Sequence, residues 1–312
     1  MKLSVIICTH NPHRDYLFRT LAALQQQTLG RDQWEFLLID NASRDSIAET
    51  WDLTWHPKGR HVREEELGVT PARLRGIRES VGELIVFVDD DNIIDCFYLE
   101  NALRIHCKCP FLGAYGAGKI AGEFESPPLP ETIPFLPMVA LRDEPRPLWS
   151  NQQSANSSIP YGAGQCVLRQ VALEYVKALQ NDQLRKALGR YGNGYLLSCE
   201  DIDLALFACT LGYGTGVFPE LSMTHLIPPR RLEPKYLEAL AEGHAASFII
   251  LAHLWGSPEA AEKSRSIDRL RHLRRLLSLK GLARKIYLAE RRGRKKAFAQ
   301  LASLNLQAVS NH

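Results

Sequence analysis

Residues 83–92 read Glu-Leu-Ile-Val-Phe-Val-Asp-Asp-Asp-Asn. The apolar run Leu84–Val88 shows no polar alternation, so it predicts a strand buried on both faces, as strands of parallel sheets are. It stops abruptly on Asp89, Asp90 and Asp91. Three adjacent carboxylates repel one another unless a cation or solvent relieves them. At the carboxyl end of a strand they suit a hard divalent cation and a sugar hydroxyl. Alone, they also read as a solvated turn or the start of a helix.

The same grammar runs upstream. Leu3–Cys8 is another apolar run, broken by Thr9-His10-Asn11-Pro12, and Phe36–Ile39 is a third, closed by Asp40-Asn41. His61–Glu65 reads as a short strand. Helical spacing marks Tyr16–Gln27, a capped segment ending near Trp51, Ala72–Ser80 behind Thr70-Pro71, and Phe97–Ile105. This alternation predicts an α/β fold with a doubly wound, mostly parallel sheet flanked by helices. Such sheets bind ligands beyond the strands' carboxyl ends, at the topological switch point. The candidates are therefore Thr9, His10 and Asn11, then Asp40, then Asp89, Asp90 and Asp91.

Downstream, residues 121–150 hold Pro127, Pro128, Pro130, Pro134, Pro137, Pro145 and Pro147. They predict a long irregular connection, of the kind that forms a lid or a wall. Trp149 at its end is either an acceptor-facing aromatic or a core residue. Gln165–Leu168 reads as a strand and Val171–Leu188 as a helix. A flexible Gly192-Asn193-Gly194 precedes a helix from Glu200-Asp201 to Leu211. Acids in that first turn suit the helix dipole or proton abstraction from a hydroxyl. Gly214–Phe218 reads as a last short strand, and His225 follows it. Leu232–Leu254 and the remainder are helical.

Composition bounds the rest. The chain has 312 residues, 45% of them hydrophobic and 23% charged, which excludes collagenous, disordered and disulfide-scaffold classes. The net charge of +3 hides an asymmetry: residues 259–312 carry +10, leaving −7 on the body. Three readings compete for this basic tail: attraction to an anionic membrane surface, a solvated face on a helix that packs on the body or a second copy of the chain, and nucleic-acid binding. The last is disfavoured, because no aromatic-basic interleaving or nucleic-acid motif is present. Seven scattered cysteines read as reduced thiols, and His106-Cys107-Lys108-Cys109 lacks the second ligand pair of a zinc site. The start MKLSVIICTHNP does not have a signal-peptide pattern, and no apolar stretch is long enough to span a bilayer. The expected location is cytoplasmic, peripheral on the inner face of the membrane if the tail binds lipid.

Taken in order, VIICTHNPHRDYLFRTLAAL, LLIDNASRD, GVTPARLRGI, ELIVFVDDDN, CEDIDLALFACTLGY and a late His resemble the family 2 glycosyltransferases, over about residues 1–226. The resemblance implies a GT-A fold with a helical basic C-terminal extension. It implies a nucleotide-sugar-binding half at 1–120, an acceptor-binding and catalytic half at 121–230, and a helical region at 231–312. It further implies that Thr9, His10 and Asn11 line the nucleoside and Asp40 meets the base. Arg73 would face the diphosphate, Glu200 would belong to the donor site, and Asp89 or Asp90, both donor-site residues, would meet the ribose or the sugar. Gly162, Ala163 and Gly164 would line the donor sugar. Asp91 and His225 would hold Mn²⁺ or Mg²⁺, and Asp201 would be the catalytic base. Leu74, where relatives often carry Asn, Cys199, where Gly commonly stands, and His10, where Tyr, Phe or another residue is more usual, depart from the pattern.

The expected activity is inverting, metal-dependent transfer of a sugar from a nucleotide-diphospho-sugar, UDP-linked, to a hydroxyl of a glycan or lipid-linked saccharide. The alternatives are a sugar-phosphate nucleotidyltransferase, disfavoured because Thr9-His10-Asn11-Pro12 replaces its Gly-rich phosphate loop, and a non-catalytic nucleotide-sugar-binding protein.

Overall fold

A computed structural model describes residues 1–180, 182–189, 196–257 and 265–310. The apolar runs become the sheet centre. Strand β1 (Leu3–Thr9), helix α1 (Arg14–Gln25), β2 (Trp34–Asn41), α2 (Ile47–Thr50), β3 (Gly59–Glu64), α3 (Val69–Glu79) and β4 (Leu84–Asp89) follow in turn. Leu3, Val5, Ile6, Phe36 and Leu37 have no exposed surface, because helices cover both faces of the sheet. Then come β5 (Asn92–Ile94), α4 (Tyr98–Lys108), β6 (Leu112–Phe124), β7 (Arg142–Asp143), β8 (Leu148–Ser150), β9 (Cys166–Leu168), α5 (Arg169–Gln180), α6 (Gln183–Lys186), α7 (Glu200–Thr210) and β10 (Gly214–Ile227). Helices α8 (Pro234–Leu254), α9 (Arg265–Ser278) and α10 (Gly281–Ser310) complete the chain.

Strand order is β3-β2-β1-β4-β9-β6-β10-β5, with β7 on β6 and β8 on β10. β1 pairs in parallel with both β2 and β4, so the chain winds outward on one side of β1 and returns on the other. That reversal is the switch point. Its register aligns the strand tips, with Thr9 opposite Asp40 and Cys8 opposite Asp89.

Three expectations needed correction. Gly214–Phe218 is only the first part of β10, which shifts register between Phe218 and Ser222 and continues to Ile227. A bulge absorbs Pro219, which looks like a strand terminator in sequence. β6 was not expected, because its Gly-Ala-Tyr-Gly-Ala-Gly stretch resembles a loop. Those small residues let neighbours approach: a side chain at Gly113 would collide with Ala208 of α7 and with Tyr213. The expected helix Val171–Leu188 is interrupted, and Asp182 caps the N-terminus of α6 by accepting from the Leu184 and Arg185 amides. The Gly192-Asn193-Gly194 stretch lies outside the described residues.

In the basic tail, α10 packs against α8. Gly293 makes this possible, since a side chain there would lie 2.9 Å from the Glu242 carbonyl carbon and 3.1 Å from the Ala246 nitrogen. Leu282, Ile286 and Ala289 join Leu237, Leu240 and Ala241 in a second core. Arg292 and Lys296 pair with Glu242 at 2.8 and 2.5 Å. The apolar face of α10 is therefore buried on protein. On α9, by contrast, Leu273 and Leu277 are 56% and 75% exposed. No helix among the described residues is long and apolar enough to cross a membrane. All seven cysteines are free thiols.

Candidate active site

The loop after β1 is fastened to the loop after β2. Asn11 adopts a left-handed backbone (φ 48°). Its amide donates to Ser43 Oγ at 2.9 Å, and its side-chain oxygen accepts from the Arg44 amide at 3.0 Å. His10 Nδ1 donates to the Asn41 carbonyl at 2.7 Å, and its Nε2 accepts from Asn11 Nδ2. Asn41 in turn accepts from the Gly68 amide at 2.8 Å and donates to the Glu66 carbonyl at 2.7 Å. These bonds fix the start of α3, and with it Arg73.

Asp40 is buried at the tip of β2. It accepts from the Ser43 amide at 3.0 Å and from Arg63 at 2.6 Å. Burial pushes its carboxyl up, but the Ser43 and Arg63 hydrogen bonds outweigh that and hold it below the ordinary range. Arg63 was not singled out from sequence. The signal was its register, because Arg63 on β3 lies directly opposite Asp40. Both residues line a cleft of about 490 Å³ with Ser43, Arg44, His61 and Glu65.

Arg73 is a buried cation on α3. It lies 3.3 Å from Glu200 and 3.6 Å from Asp89, with its guanidinium 5.3 Å from the Phe87 ring centre. Burial alone would weaken its charge, but Glu200, Asp89 and Asp201 together hold it firmly protonated. Gly162 leaves room for it, since a side chain there would lie 2.9 Å from Nη1 and closer still to Nη2. The Gly162 amide donates to Asp201 Oδ2 at 2.5 Å, and the Ile202 amide to Oδ1 at 2.9 Å. Gln165, a second residue missed in sequence, is fully buried and donates to the Asp201 carbonyl at 2.9 Å. Cys199 caps the start of α7 in a left-handed conformation (φ 80°), and Glu200 and Asp201 follow it in the first turn, against Arg73 and the Gly162 amide. Ala163 is buried, and the Gly164 carbonyl accepts from Tyr98, so Gly162 is the member of that triplet in contact with Arg73.

The three adjacent acids have different environments. Thr9 Oγ1 donates to Asp90. Burial and the neighbouring Asp91 charge push Asp90 up to about 7. Burial and Asp91 likewise raise Asp89, against the pull of Arg73. Burial also works against the charged form of Asp91, but the neighbouring Arg231 cation helps to outweigh it and hold Asp91 low. Separation of neighbouring carboxylates in this way is a mark of functional sites.

β5 pairs antiparallel with β10 and places Asn92 opposite His225. His225 Nδ1 donates to the Val139 carbonyl at 3.0 Å, so Nε2 carries a lone pair, 3.5 Å from Asp91 Oδ2. A carboxylate oxygen beside an imidazole nitrogen oriented from behind fits a divalent cation. Among the described residues no cluster of three or more His, Cys, Asp or Glu side chains is suited to a metal. Such an ion must therefore draw further ligands from substrate and water, as Mg²⁺ commonly does. Arg231, the third residue that sequence missed, donates to both Asp91 (2.8 Å) and His225 (2.8 Å).

Trp149 stands apart from this assembly. It pairs with Gly216 on β10. Gly216 lies opposite Tyr115 of β6, whereas His225 lies opposite Gly122. Seven residues at ~3.3 Å put Trp149 roughly 23 Å away. It is exposed and packs edge-on against Phe111, 5.2 Å between ring centres. Val139 of the Pro-rich segment does reach the site, through its carbonyl on His225.

A mostly parallel switch-point sheet, with acids at its strand tips and a long companion strand returning a histidine to them, is the architecture of GT-A glycosyltransferases. The model of the glycosyl transferase family 2 matches residues 4–163, and the chain belongs to that family. A solved structure with the same fold is a mannosyltransferase from Pyrobaculum calidifontis in complex with GDP-Man and Mn²⁺. It is 20% identical, with a TM-score of 0.56, over 99% of this chain and 80% of that one. Glycosyltransferase AglE of Haloferax volcanii is 30% identical over 92 residues, 28% of this chain and 30% of its own length. An inactive polypeptide N-acetylgalactosaminyltransferase-like protein 5 of Macaca fascicularis is 30% identical over 112 residues, 34% of this chain and 25% of its own. The chain thus spans less than a third of the length of these two relatives.

Proposed function

We propose that this protein transfers a sugar from a nucleotide-diphospho-sugar to an acceptor hydroxyl, with inversion and with the help of a divalent cation. The observation that carries the reading is the Arg73 bridge, which joins Asp89 at a strand tip to Glu200 at a helix start, 3.6 and 3.3 Å away. A buried cation between a strand-tip acid and the Glu200-Asp201 pair suits a diphosphate leaving group held next to a base.

In this reading Thr9, His10 and Asn11 border the nucleoside. Asp40 accepts from an N–H on the base, while Arg63 donates to an adjacent carbonyl. Uracil and guanine offer that pairing, which supports the UDP-linked donor and keeps a GDP-linked one in the test. Arg73 binds the diphosphate, and Gly162 lines the sugar. Asp91 and His225 would hold Mn²⁺ or Mg²⁺, which when bound supplies Lewis-acid neutralisation of the diphosphate. Asp201, oriented by the Gly162 and Ile202 amides, takes the acceptor proton. The acceptor oxygen bonds to the anomeric carbon as the carbon–oxygen bond to the diphosphate breaks, and the diphosphate leaves with the electron pair. One displacement from the opposite face inverts the centre. The neighbour named for GDP-Man and Mn²⁺ lends support by analogy. We assign the donor to residues 1–120 and acceptor and base to 121–230. The acceptor is taken to be a glycan or lipid-linked saccharide. Exposed Leu273 and Leu277, flanked by exposed Arg274 and Arg275 on α9, support a peripheral anionic-membrane contact.

The test uses Asp201→Asn. Release of nucleoside diphosphate that requires acceptor should fall by roughly 10²- to 10⁴-fold, while nucleoside diphosphate binding persists. Undiminished release would remove Asp201 from its role. Donor binding without turnover in the unaltered chain would favour the non-catalytic reading that an inactive relative brings to mind.

A further inference from the structure

Arg231 occupies the position that a metal ion would need. One of its guanidinium nitrogens is 2.8 Å from Asp91 Oδ2 and the other 2.8 Å from His225 Nε2. Those two acceptors lie 3.5 Å apart, so one planar cation holds both. A divalent ion bound to Asp91 and His225 at the usual ~2.0–2.2 Å would need the same lone pairs. Arg231 and the ion therefore exclude each other.

The surroundings fix which of them moves. Arg231 sits on a short 3₁₀ turn, Pro229–Leu232. Prolines 228, 229 and 234 stiffen its backbone, and Leu232 is buried in the second core. The backbone is anchored, whereas the side chain is long, rotamer-rich and one-quarter exposed. Asp91 is buried with only 8% of its side chain exposed, so releasing Arg231 without a replacement cation would leave a buried charge unpaired. A divalent ion arriving alone would displace the guanidinium towards Asp89 and Asp90, the other acids that act on it, and these are already engaged by Arg73 and Thr9. A diphosphate arriving with the ion supplies a new anion, because guanidinium pairs well with phosphate oxygens.

We propose that Arg231 acts as an internal cation that holds the Asp91–His225 seat in the donor-free protein and yields it only when a diphosphate arrives, so that divalent ion and nucleoside diphosphate bind as a cooperative pair. This deepens, and rests on, the proposed donor chemistry of the cleft. Arg231 is in this sense a positioning residue. It prevents the bare protein from committing an ion to the Asp91–His225 seat, and it delivers its charge to the diphosphate side once the ion has replaced it.

The test is calorimetric titration of Mn²⁺ into the full chain, alone and with saturating UDP or GDP, for the unaltered protein and for Arg231→Met. In the unaltered protein nucleoside diphosphate should tighten Mn²⁺ binding by roughly 5- to 150-fold, the ordinary range for coupled sites. Mn²⁺ should tighten nucleoside diphosphate binding by the same factor. Arg231→Met should bind Mn²⁺ alone about tenfold more tightly and show a correspondingly smaller enhancement. Arg231→Lys retains the charge without the two-point grip and should fall between. Equal Mn²⁺ affinity with and without nucleoside diphosphate in the unaltered protein overturns the proposal, even if no variant folds. So does an Arg231→Met protein whose Mn²⁺ affinity is unchanged or weaker. Failure to bind Mn²⁺ in any form also overturns it. The glycosyl-transfer reading is judged separately, by acceptor-dependent release of nucleoside diphosphate with and without a chelator.

Discussion

Gly162→Ala tests the site by adding one methyl group. Gly162 contacts Arg73, and the new Cβ would sit 2.9 Å from Nη1 and 3.1 Å from Cζ. Ordinary contact begins near 3.4 Å, so the guanidinium must retreat by several tenths of an ångström or more. The end of an arginine usually swings aside easily. Here it is 9% exposed, stacked over Phe87 and held by Glu200 at 3.3 Å and Asp89 at 3.6 Å. A shift of that size takes both ion pairs towards or beyond 4 Å and tilts the Gly162 amide that orients Asp201. Stability should fall by about 1–3 kcal/mol, the typical cost of overpacking. Activity should change far more, because a misplacement near 1 Å can cost about 10²-fold. The assay is acceptor-dependent release of nucleoside diphosphate, read as kcat and KM alongside a thermal melt. A kcat/KM within twofold of the unaltered protein, with the melt unchanged, would refute the claim that Gly162 sets the position of Arg73.

Two other consequences lie outside the cleft. His56 is 2% exposed, with Trp34 and Trp55 ring centres 4.1 and 5.5 Å away. Burial, helped by Arg31 and Lys58, pushes its pKa from 6.5 to about 4. The unfolded chain therefore binds a proton that the folded one refuses, and stability is lost as pH falls from 6.5 towards 4. At ~1.4 kcal/mol per pH unit this window holds at most about 3.5 kcal/mol. Urea midpoints at pH 7.5 and 5 should show the loss, and His56→Asn, which keeps an acceptor for the Lys58 amide, should flatten the difference. For α9, vesicles containing anionic lipid should sediment the protein at low salt, with each nearby Lys or Arg contributing ~1 kcal/mol. Leu273→Ser with Leu277→Ser should weaken this binding. Sedimentation indifferent to both salt and these substitutions would reject the membrane contact.

The sheet centre was legible in sequence because apolar runs such as Leu84–Val88 state their own burial. The strand tips were legible too, because a parallel switch-point sheet can only use the residues that follow its strands. β6 and the second half of β10 were hidden. Glycine and proline there read as breaks, and only contacts with α7 and the bulge at Phe218–Ser222 show why a strand tolerates them. Trp149 looked like a site residue because linear proximity to the Pro-rich segment says nothing about register.

Sequence by itself thus determined the α/β class, the acids at the strand tips and an arginine near a helix start. These follow from local periodicity and from residues adjacent in the chain. Tertiary structure alone decided which groups face one another: Arg63 on Asp40, Gln165 beneath Asp201, and Arg231 between Asp91 and His225. These are contacts across register and between elements far apart in the chain, where the energy depends on distances of a few ångströms and not on the order of the letters.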